Sequence, residues 1–268
     1  MTKQDDNSSI QTGIHPTAIV DPRADIDPGV ELGPFVVIGP DVRIGAGTVI
    51  KAHTIIEGHT EIGEQNVIGP SAFIGQPPQD TKYKDEPTRL RIGNRNIIRE
   101  QATLHCGSVG GDLETVVGDG CMLMVGVHIA HNCKIGNEVI IANGTGLGGH
   151  VEIENKVVLG GLSGIHQYVR VGTVAMVSAL SAVSKDVPPY AMVSGNRAKL
   201  FGLNRVGMER VGIPKERRAE LRKAYKILFE NSLKLKDAVE KISREVTPSQ
   251  EIDNLLHFIE KSTRGITR

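Results

Sequence analysis

Reading every sixth residue from Ile14 returns only aliphatic side chains: Ile14, Val20, Ile26, Leu32, Ile38, Ile44, Ile50, Ile56, Ile62, Ile68 and Ile74. The frame breaks, returns at Ile92, Ile98 and Leu104, and breaks again. It then runs, shifted by one residue, through Val117, Leu123, Ile129, Ile135, Ile141, Leu147, Ile153, Leu159, Ile165, Val171, Val177 and Val183. On an α-helix this period would smear the apolar residues around the cylinder, so a helix is excluded. Each hexad reads instead as a short strand plus a corner, with its aliphatic residue pointing inward and stacking on the next turn of a prism. Gly often follows that residue, as at Gly39, Gly45, Gly63, Gly69 and Gly136, and is expected to permit a corner backbone of positive φ. Small or β-branched residues such as Thr48, Thr54, Thr60, Ala72, Ala102 and Thr145 tend to take the fifth place.

Composition agrees with a narrow, repetitive core. The 268 residues include five Phe, four Tyr and no Trp, so Ile, Val, Leu and Ala must fill the interior. Lys+Arg and Asp+Glu both total 31, which argues against a duplex nucleic-acid binder. No apolar run approaches the roughly 18–20 residues of a membrane span. The polar start, Met1 to Ser9, does not read as a signal peptide. Cys106, Cys121 and Cys133 form neither an even framework nor a CxxC pair, and a reduced, cytosolic protein is expected.

The pattern resembles the hexapeptide-repeat family. The resemblance implies a mainly β fold, a left-handed parallel β-helix forming a triangular prism, in which three hexads make one coil and residues 18 apart stack, for roughly nine coils. Repeat insertions gather on one face, often the binding face. The first insertion, near 76–91, is polar and Pro-rich (Gln76 to Thr88), and the second, near 105–116, carries Gly107, Gly110 and Gly111. After Val187-Pro188-Pro189 the character changes. Pro214 precedes an amphipathic run with apolar Leu221, Tyr225, Leu228 and Phe229, and further helices are expected near 235–245 and 248–262. The expected organisation is a polar extension over 1–13, the β-helix over 14–189 and a helical C-terminal domain over 190–268.

Four of the nine histidines fall late in the repeat: His128, His131, His150 and His166. Stacking places His131, Gly149 and Gln167 in one column with His150 and His166 beside it, so distant residues should converge on one edge. Histidine is the side chain whose ordinary pKa suits proton transfer near neutrality.

Longer motifs narrow the resemblance. Gly75-Gln76-Pro77-Pro78-Gln79-Asp80-Thr81-Lys82-Tyr83 with Glu86-Pro87-Thr88, His128-Ile129-Ala130-His131, Gly149-His150-Val151, His166-Gln167, Asp186-Val187-Pro188-Pro189-Tyr190 and Ser262-Thr263-Arg264-Gly265 are similar to the UDP-N-acetylglucosamine O-acyltransferase family. The similarity runs from His15-Pro16-Thr17-Ala18 to the C-terminus. It implies transfer of an (R)-3-hydroxyacyl group from acyl carrier protein to the 3-hydroxyl of UDP-GlcNAc, the first step of lipid A synthesis, by a cytoplasmic homotrimer with its clefts between subunits and with no cofactor or metal.

The matching positions make His131 the general base and the Gly149 N–H the oxyanion donor. Gln79, Asp80, Lys82, His128, His150, His166 and Gln167 would line the sugar-nucleotide cleft, and Asn204 and Arg210 would reach the UDP portion. Ser178 and Ala179 stand where a Gly pair shapes the acyl-chain floor. Residues 197–226 hold ten basic and three acidic side chains, and Arg217, Arg218 and Arg222 are expected to dock the acidic carrier protein. A sugar hydroxyl needs a base as its C–O bond forms, and a fixed backbone N–H stabilises the oxyanion without reorganising. Cys133 is read as structural.

The sequence departs from the family at Asn132, where Asp is expected, at Cys106 in place of Arg, at Asp85 in place of Gly and at Ser178-Ala179. Alternative readings are a related UDP-sugar N-acyltransferase, acylation of a 3-amino UDP-GlcNAc analogue, an acetyl-CoA-dependent relative, a zinc lyase using His128, His131 and His150, and a non-enzymatic scaffold.

Overall fold

The computed structural model describes residues 13–229 and 233–268. Apart from Gly13, the N-terminal extension lies outside the described residues. Strands of mostly two residues build three sheets of nine, eight and ten strands, in each of which the chain returns after passing through the other two. Sheet I runs from Ile19–Val20 to Ala182–Val183, sheet II from Asp25–Ile26 to Arg170–Val171, and sheet III from Glu31–Leu32 through Met176–Val177. Pairing is parallel: Ile19 lies opposite Val37, Asp25 opposite Arg43 and Glu31 opposite Val49. The chain is a parallel β-helix of triangular section.

The sixfold pattern fills it. Ile38, Ile56, Ile74, Leu104, Ile129, Leu147 and Ile165 stack inside sheet I, each at most 3% exposed, with matching columns in the other sheets. Each buried Leu or Ile removes enough apolar area from water to stabilise the coil by roughly 1.5–3 kcal/mol, repeated at every step. The Thr and Ala of the fifth place are fully buried at the corners.

The corner glycines do a different job from the one expected. Positive φ falls two residues further on, at non-Gly positions such as Phe35, His53, Gln65 and Arg95. At Gly45 the constraint is closeness: a Cβ would stand 2.7 Å from the Gly63 carbonyl carbon of the next coil. Gly69 does adopt positive φ, as expected.

Both insertions leave the frame at the edge between sheets I and II. The first joins Phe73–Gln76 to Arg89–Ile92 and the second joins Thr103–His105 to Glu114–Val117. Register therefore steps from Phe73 to Thr103 and from Thr103 to His128 across them, then resumes the shorter repeat.

Residues 190–268 are not helical throughout. Ala191–Ser194 extends sheet III in parallel to Met176–Val177, and Lys199–Leu203 pairs with it antiparallel. Helices follow: α1 (Arg205–Arg210), which the sequence reading did not anticipate, α2 (Lys215–Phe229), α3 (Leu235–Glu245) and α4 (Gln250–Glu260). Asn204 caps α1 and Ser249 caps α4. The hairpin is overlooked because its alternation is too short to separate from loop, and α1 is a single capped turn and a half.

The C-terminal tail folds back on the prism. The Asp186 N–H donates to Gly265 O at 3.0 Å, Thr267 N–H to Asp186 O at 2.7 Å, and the Ser262 hydroxyl to Asp186 Oδ2 at 2.7 Å. Among the described residues no helix is long and apolar enough to cross a membrane.

Candidate active site

The edge between sheets I and II carries the histidines. Asn132, His150 and Tyr168 occupy equivalent corner positions at positive φ. The His150 N–H donates to His131 O at 3.0 Å, and the Tyr168 N–H to Gly149 O at 3.0 Å, tying the His131, Gly149 and Gln167 coils together.

His131 lies against Gly149. A Cβ at Gly149 would stand 2.5 Å from His131 Cε1 and 2.7 Å from Nε2, so only glycine lets the ring take this position. The Gly149 N–H donates to no acceptor among the described residues. His131 meets His150 edge-on with ring centroids 5.3 Å apart, and His150 stacks on Tyr168 at 4.5 Å.

His131 Nδ1 is 2.8 Å from Asn132 Oδ1. That oxygen also accepts from the Ser108 N–H at 2.9 Å, while Asn132 Nδ2 donates to Ser108 O at 3.1 Å. The amide orientation is thereby fixed and Nδ1 must carry a proton, so the neutral form of the ring keeps its lone pair on Nε2. Asp80 reaches the same place from the first insertion, accepting from the Ser108 hydroxyl at 2.8 Å and from the Lys82 N–H at 3.0 Å. The Lys82 N–H, then the Ser108 hydroxyl, hold its carboxyl below the ordinary range, and nearby His131 adds to the effect.

A second pair adjoins the first. His105 and His128 meet edge-on at 5.2 Å, with the His105 Nδ1–H donating to Pro77 O at 2.7 Å and His128 Nδ1 bonded to the Thr103 hydroxyl at 2.8 Å. Burial pushes the His105, His128 and His150 imidazoles below their usual value. The sequence gives His105 and Ser108 no role of their own; their signals are the second insertion's break in the frame and the segment His105-Cys106-Gly107-Ser108, where Cys106 departs from the family pattern.

His166 is exposed, with Nδ1 3.3 Å from Arg264 Nη2 on the C-terminal tail. Gln167, Gln79 and Lys82 are exposed on the same edge and its loop. Below His128 the outward positions of sheet I become small, at Gly146, Gly164 and Ala182. They floor a groove of about 710 Å³ that His166 and Arg264 border.

Other site residues lie elsewhere in the single chain. Asn204 is buried, with Oδ1 accepting from the Gly207 N–H at 2.9 Å to cap α1 and Nδ2 donating to Val174 O at 2.8 Å to tie that cap to the prism, so both ends of the amide are in use. It and Arg210 border a pocket of about 410 Å³ over sheet III with Ile140, Val158 and Met176, away from the His131 edge. Ser178 and Ala179 sit at the edge between sheets III and I, where Ala179 N would be 2.3 Å from a Cβ at Gly160. On α2, Arg217 pairs with Glu251 at 3.1 Å and Arg218 with Glu209 at 3.5 Å, while Arg222 is exposed.

Burial pushes the Cys133 thiol up to about 12 and Cys106 and Cys121 up to about 11, so none is a thiolate nucleophile near neutrality. Among the described residues no three His, Cys, Asp or Glu side chains converge as metal ligands.

The parallel β-helix built on a sixfold repeat is the architecture of the hexapeptide-repeat transferases. Residues 186–267 match the family model for UDP-N-acetylglucosamine O-acyltransferase, domain 2, and residues 114–149 match the bacterial transferase hexapeptide model. Over 199 residues, 74% of this chain and 77% of the relative, the sequence is 52% identical to acyl-[acyl-carrier-protein]–UDP-N-acetylglucosamine O-acyltransferase from Thermodesulfovibrio yellowstonii. The structure of LpxA from Acinetobacter baumannii is similar at a TM-score of 0.92 and 45% identity, covering 95% of this chain and 99% of that one. The Arabidopsis UDP-N-acetylglucosamine acyltransferase is similar at 0.83 and 35% identity, covering 95% and 100%. This chain belongs to the UDP-N-acetylglucosamine O-acyltransferase family.

Proposed function

We propose that this enzyme transfers an (R)-3-hydroxyacyl group from acyl carrier protein to the 3-hydroxyl of UDP-GlcNAc, with His131 as general base and the Gly149 N–H as oxyanion donor. The observation that carries the reading is the pair itself: an imidazole whose Nδ1 is engaged by Asn132 and whose Nε2 faces Gly149, beside a backbone N–H with no acceptor among the described residues. The sugar hydroxyl gives its proton to Nε2 as its oxygen bonds to the thioester carbon. The carbonyl π pair moves onto oxygen, which the Gly149 N–H receives. Collapse restores the carbonyl and breaks the C–S bond, and the proton on His131 passes to the leaving sulfur. Ester and free carrier thiol depart with the base regenerated. The thioester is already activated, so no cofactor, metal or acyl-enzyme is required.

The glycine-floored groove under His128 suits the acyl chain: three strand spacings from His128 to Ala182 span about 14 Å. Asp80, Lys82 and Gln79 hold the sugar from the first insertion, with His128, His150, His166 and Gln167 around it. Arg222 faces the acidic carrier, supported by Arg217 and Arg218.

The working form is a homotrimer in the cytoplasm, supported by unequal faces. Sheet II alternates charge outward, with Asp25 opposite Arg43, Arg43 opposite Glu61, and Lys134 opposite Glu152. Sheets I and III present Val37, Ile55 and Phe73, and Ile140, Val158 and Met176. These two faces meet at an edge where Leu162 and Leu180 are 67% and 69% exposed. Three prisms closing about that edge would seat sheet I of one on sheet III of the next, bringing the partner's Asn204 and Arg210 side of the molecule toward His131.

The test is mass spectrometry of product from UDP-GlcNAc, or its 3-amino analogue, with a ladder of hydroxyacyl carrier proteins. His131→Ala is expected to lose about 10²–10⁴ in kcat with folding intact. A folded variant retaining more than about a tenth of wild-type kcat would remove His131 as base, since such a loss falls below the general-base range.

A further inference from the structure

Ser108 is fully buried where three separate segments meet: the first insertion through Asp80, the second insertion through itself, and the corner through Asn132. Its main chain and its side chain do different things. The N–H and C=O grip both ends of the Asn132 amide, at 2.9 and 3.1 Å. The hydroxyl donates to Asp80 Oδ2 at 2.8 Å. Asn132 itself is anchored, its N–H donating to the Thr115 hydroxyl at 2.8 Å.

This arrangement explains why the residue after His131 is an amide. Asn132 Oδ1 accepts from both His131 and Ser108, while Nδ2 satisfies the Ser108 carbonyl. A carboxylate at 132 would set an oxygen against that carbonyl with no proton between them, leaving a buried acceptor unpaired. The neutral amide fixes the ring but brings no negative charge for the imidazolium that forms when His131 takes a proton. The carboxylate at this place in the structure is Asp80, and it is held there by Ser108.

We propose that Ser108 is a positioning residue for acyl transfer: its main chain locks Asn132 so that His131 stays in the Nδ1–H tautomer, and its hydroxyl keeps the Asp80 carboxylate beside the base, supplying the charge that Asn132 lacks. The proposal rests on His131 being the base. It gives the second insertion a function, since that loop carries Ser108 from the strand Thr103–His105 to the corner. Lys82 adjoins Asp80 through its backbone, and His150 packs on His131 from the next coil.

The test uses the full-length protein with ¹⁵N-labelled histidine, and has one readout that does not depend on turnover. Wild-type His131 is expected to show a protonated Nδ1 and an unprotonated Nε2, and Asn132→Leu to lose that single tautomer. An Nε2–H tautomer in the wild type would overturn the proposal. Ser108→Ala leaves the main-chain grip in place, so the tautomer should persist while kcat falls about tenfold, the scale of one hydrogen bond to a charged group. Ser108→Thr should restore most of the loss, and its melting temperature checks that both variants fold. In a double-mutant cycle Ser108→Ala should add little to Asp80→Asn, because both remove one link. Fully additive losses would overturn the hydroxyl's role. Failure of the base assignment is seen separately, as an active His131→Ala.

Discussion

Gly149→Ala separates the chemistry of the site from the stability of its scaffold. The added methyl would lie 2.5 Å from His131 Cε1 and 2.7 Å from Nε2, where a carbon contact needs well over 3 Å. The corner is held by hydrogen bonds on both sides, from His150 to His131 and from Tyr168 to Gly149, so the backbone cannot absorb the difference. The ring must move by about 1 Å, and a misplacement of that size in a reacting group costs on the order of 10²-fold in rate. That is about 2.7 kcal/mol of transition-state stabilisation.

The backbone N–H survives the substitution, and Gly149 does not use positive φ, so alanine is conformationally allowed. Loss of unfolded-state freedom offsets part of the crowding, by roughly 0.4–1 kcal/mol. The expected result is a melting temperature near that of wild type and a kcat/KM reduced about a hundredfold, with most of the loss in kcat. The assay is product formation from UDP-GlcNAc and a hydroxyacyl carrier protein, with thermal melts of the same preparations. A folded Gly149→Ala enzyme within a few-fold of wild type would refute the reasoning, because the base would then not depend on its place over this backbone.

Three further outcomes follow from the geometry. Burial holds His105, His128 and His150 below the ordinary 6.5, so between their folded values and 6.5 the unfolded chain binds more protons. Their contribution to stability is full above about 6.5 and falls as pH drops below it, which urea denaturation across that range measures. Gly164→Leu puts a side chain into the open floor of the sheet I groove, and should move acyl preference toward shorter carriers without loss of the fold, read by competition among donors. Arg222→Glu should lower kcat/KM for the carrier-protein donor several-fold at low salt and much less at high salt, as expected of a charge acting on encounter. Arg222 is preferred to Arg217 and Arg218 for that test because those two hold Glu251 and Glu209.

Most of the fold is legible because the sixfold period is a statement about the interior. Every in-frame residue from Leu32 to Val183 answers to one inward position, and the helices after Pro214 show the contrasting period. What the pattern does not carry is the corner. The glycine after the aliphatic residue is needed for the approach of the next coil, as at Gly45, and that distance belongs to two coils at once. Asn204 shows the same limit for the site. Its residue type and its place in a family motif suggest a ligand contact, yet in the single chain its amide is used up in capping α1 and holding Val174.

The histidine column was readable for a stronger reason than the presence of histidine. A prism built of equal coils offers many equivalent corners, and nothing in the repeat distinguishes the one that does chemistry. The two insertions do. Both leave the frame between sheets I and II, so one edge receives segments that owe nothing to the repeat. The first brings Asp80 and the second brings Ser108 against the Asn132 corner of a later coil. A rigid stack sets the His131 imidazole against the Gly149 backbone at fixed separation, but it cannot supply a charge aimed across the edge. The breaks in the period are where that charge enters, and they mark the candidate edge more sharply than any single titratable residue.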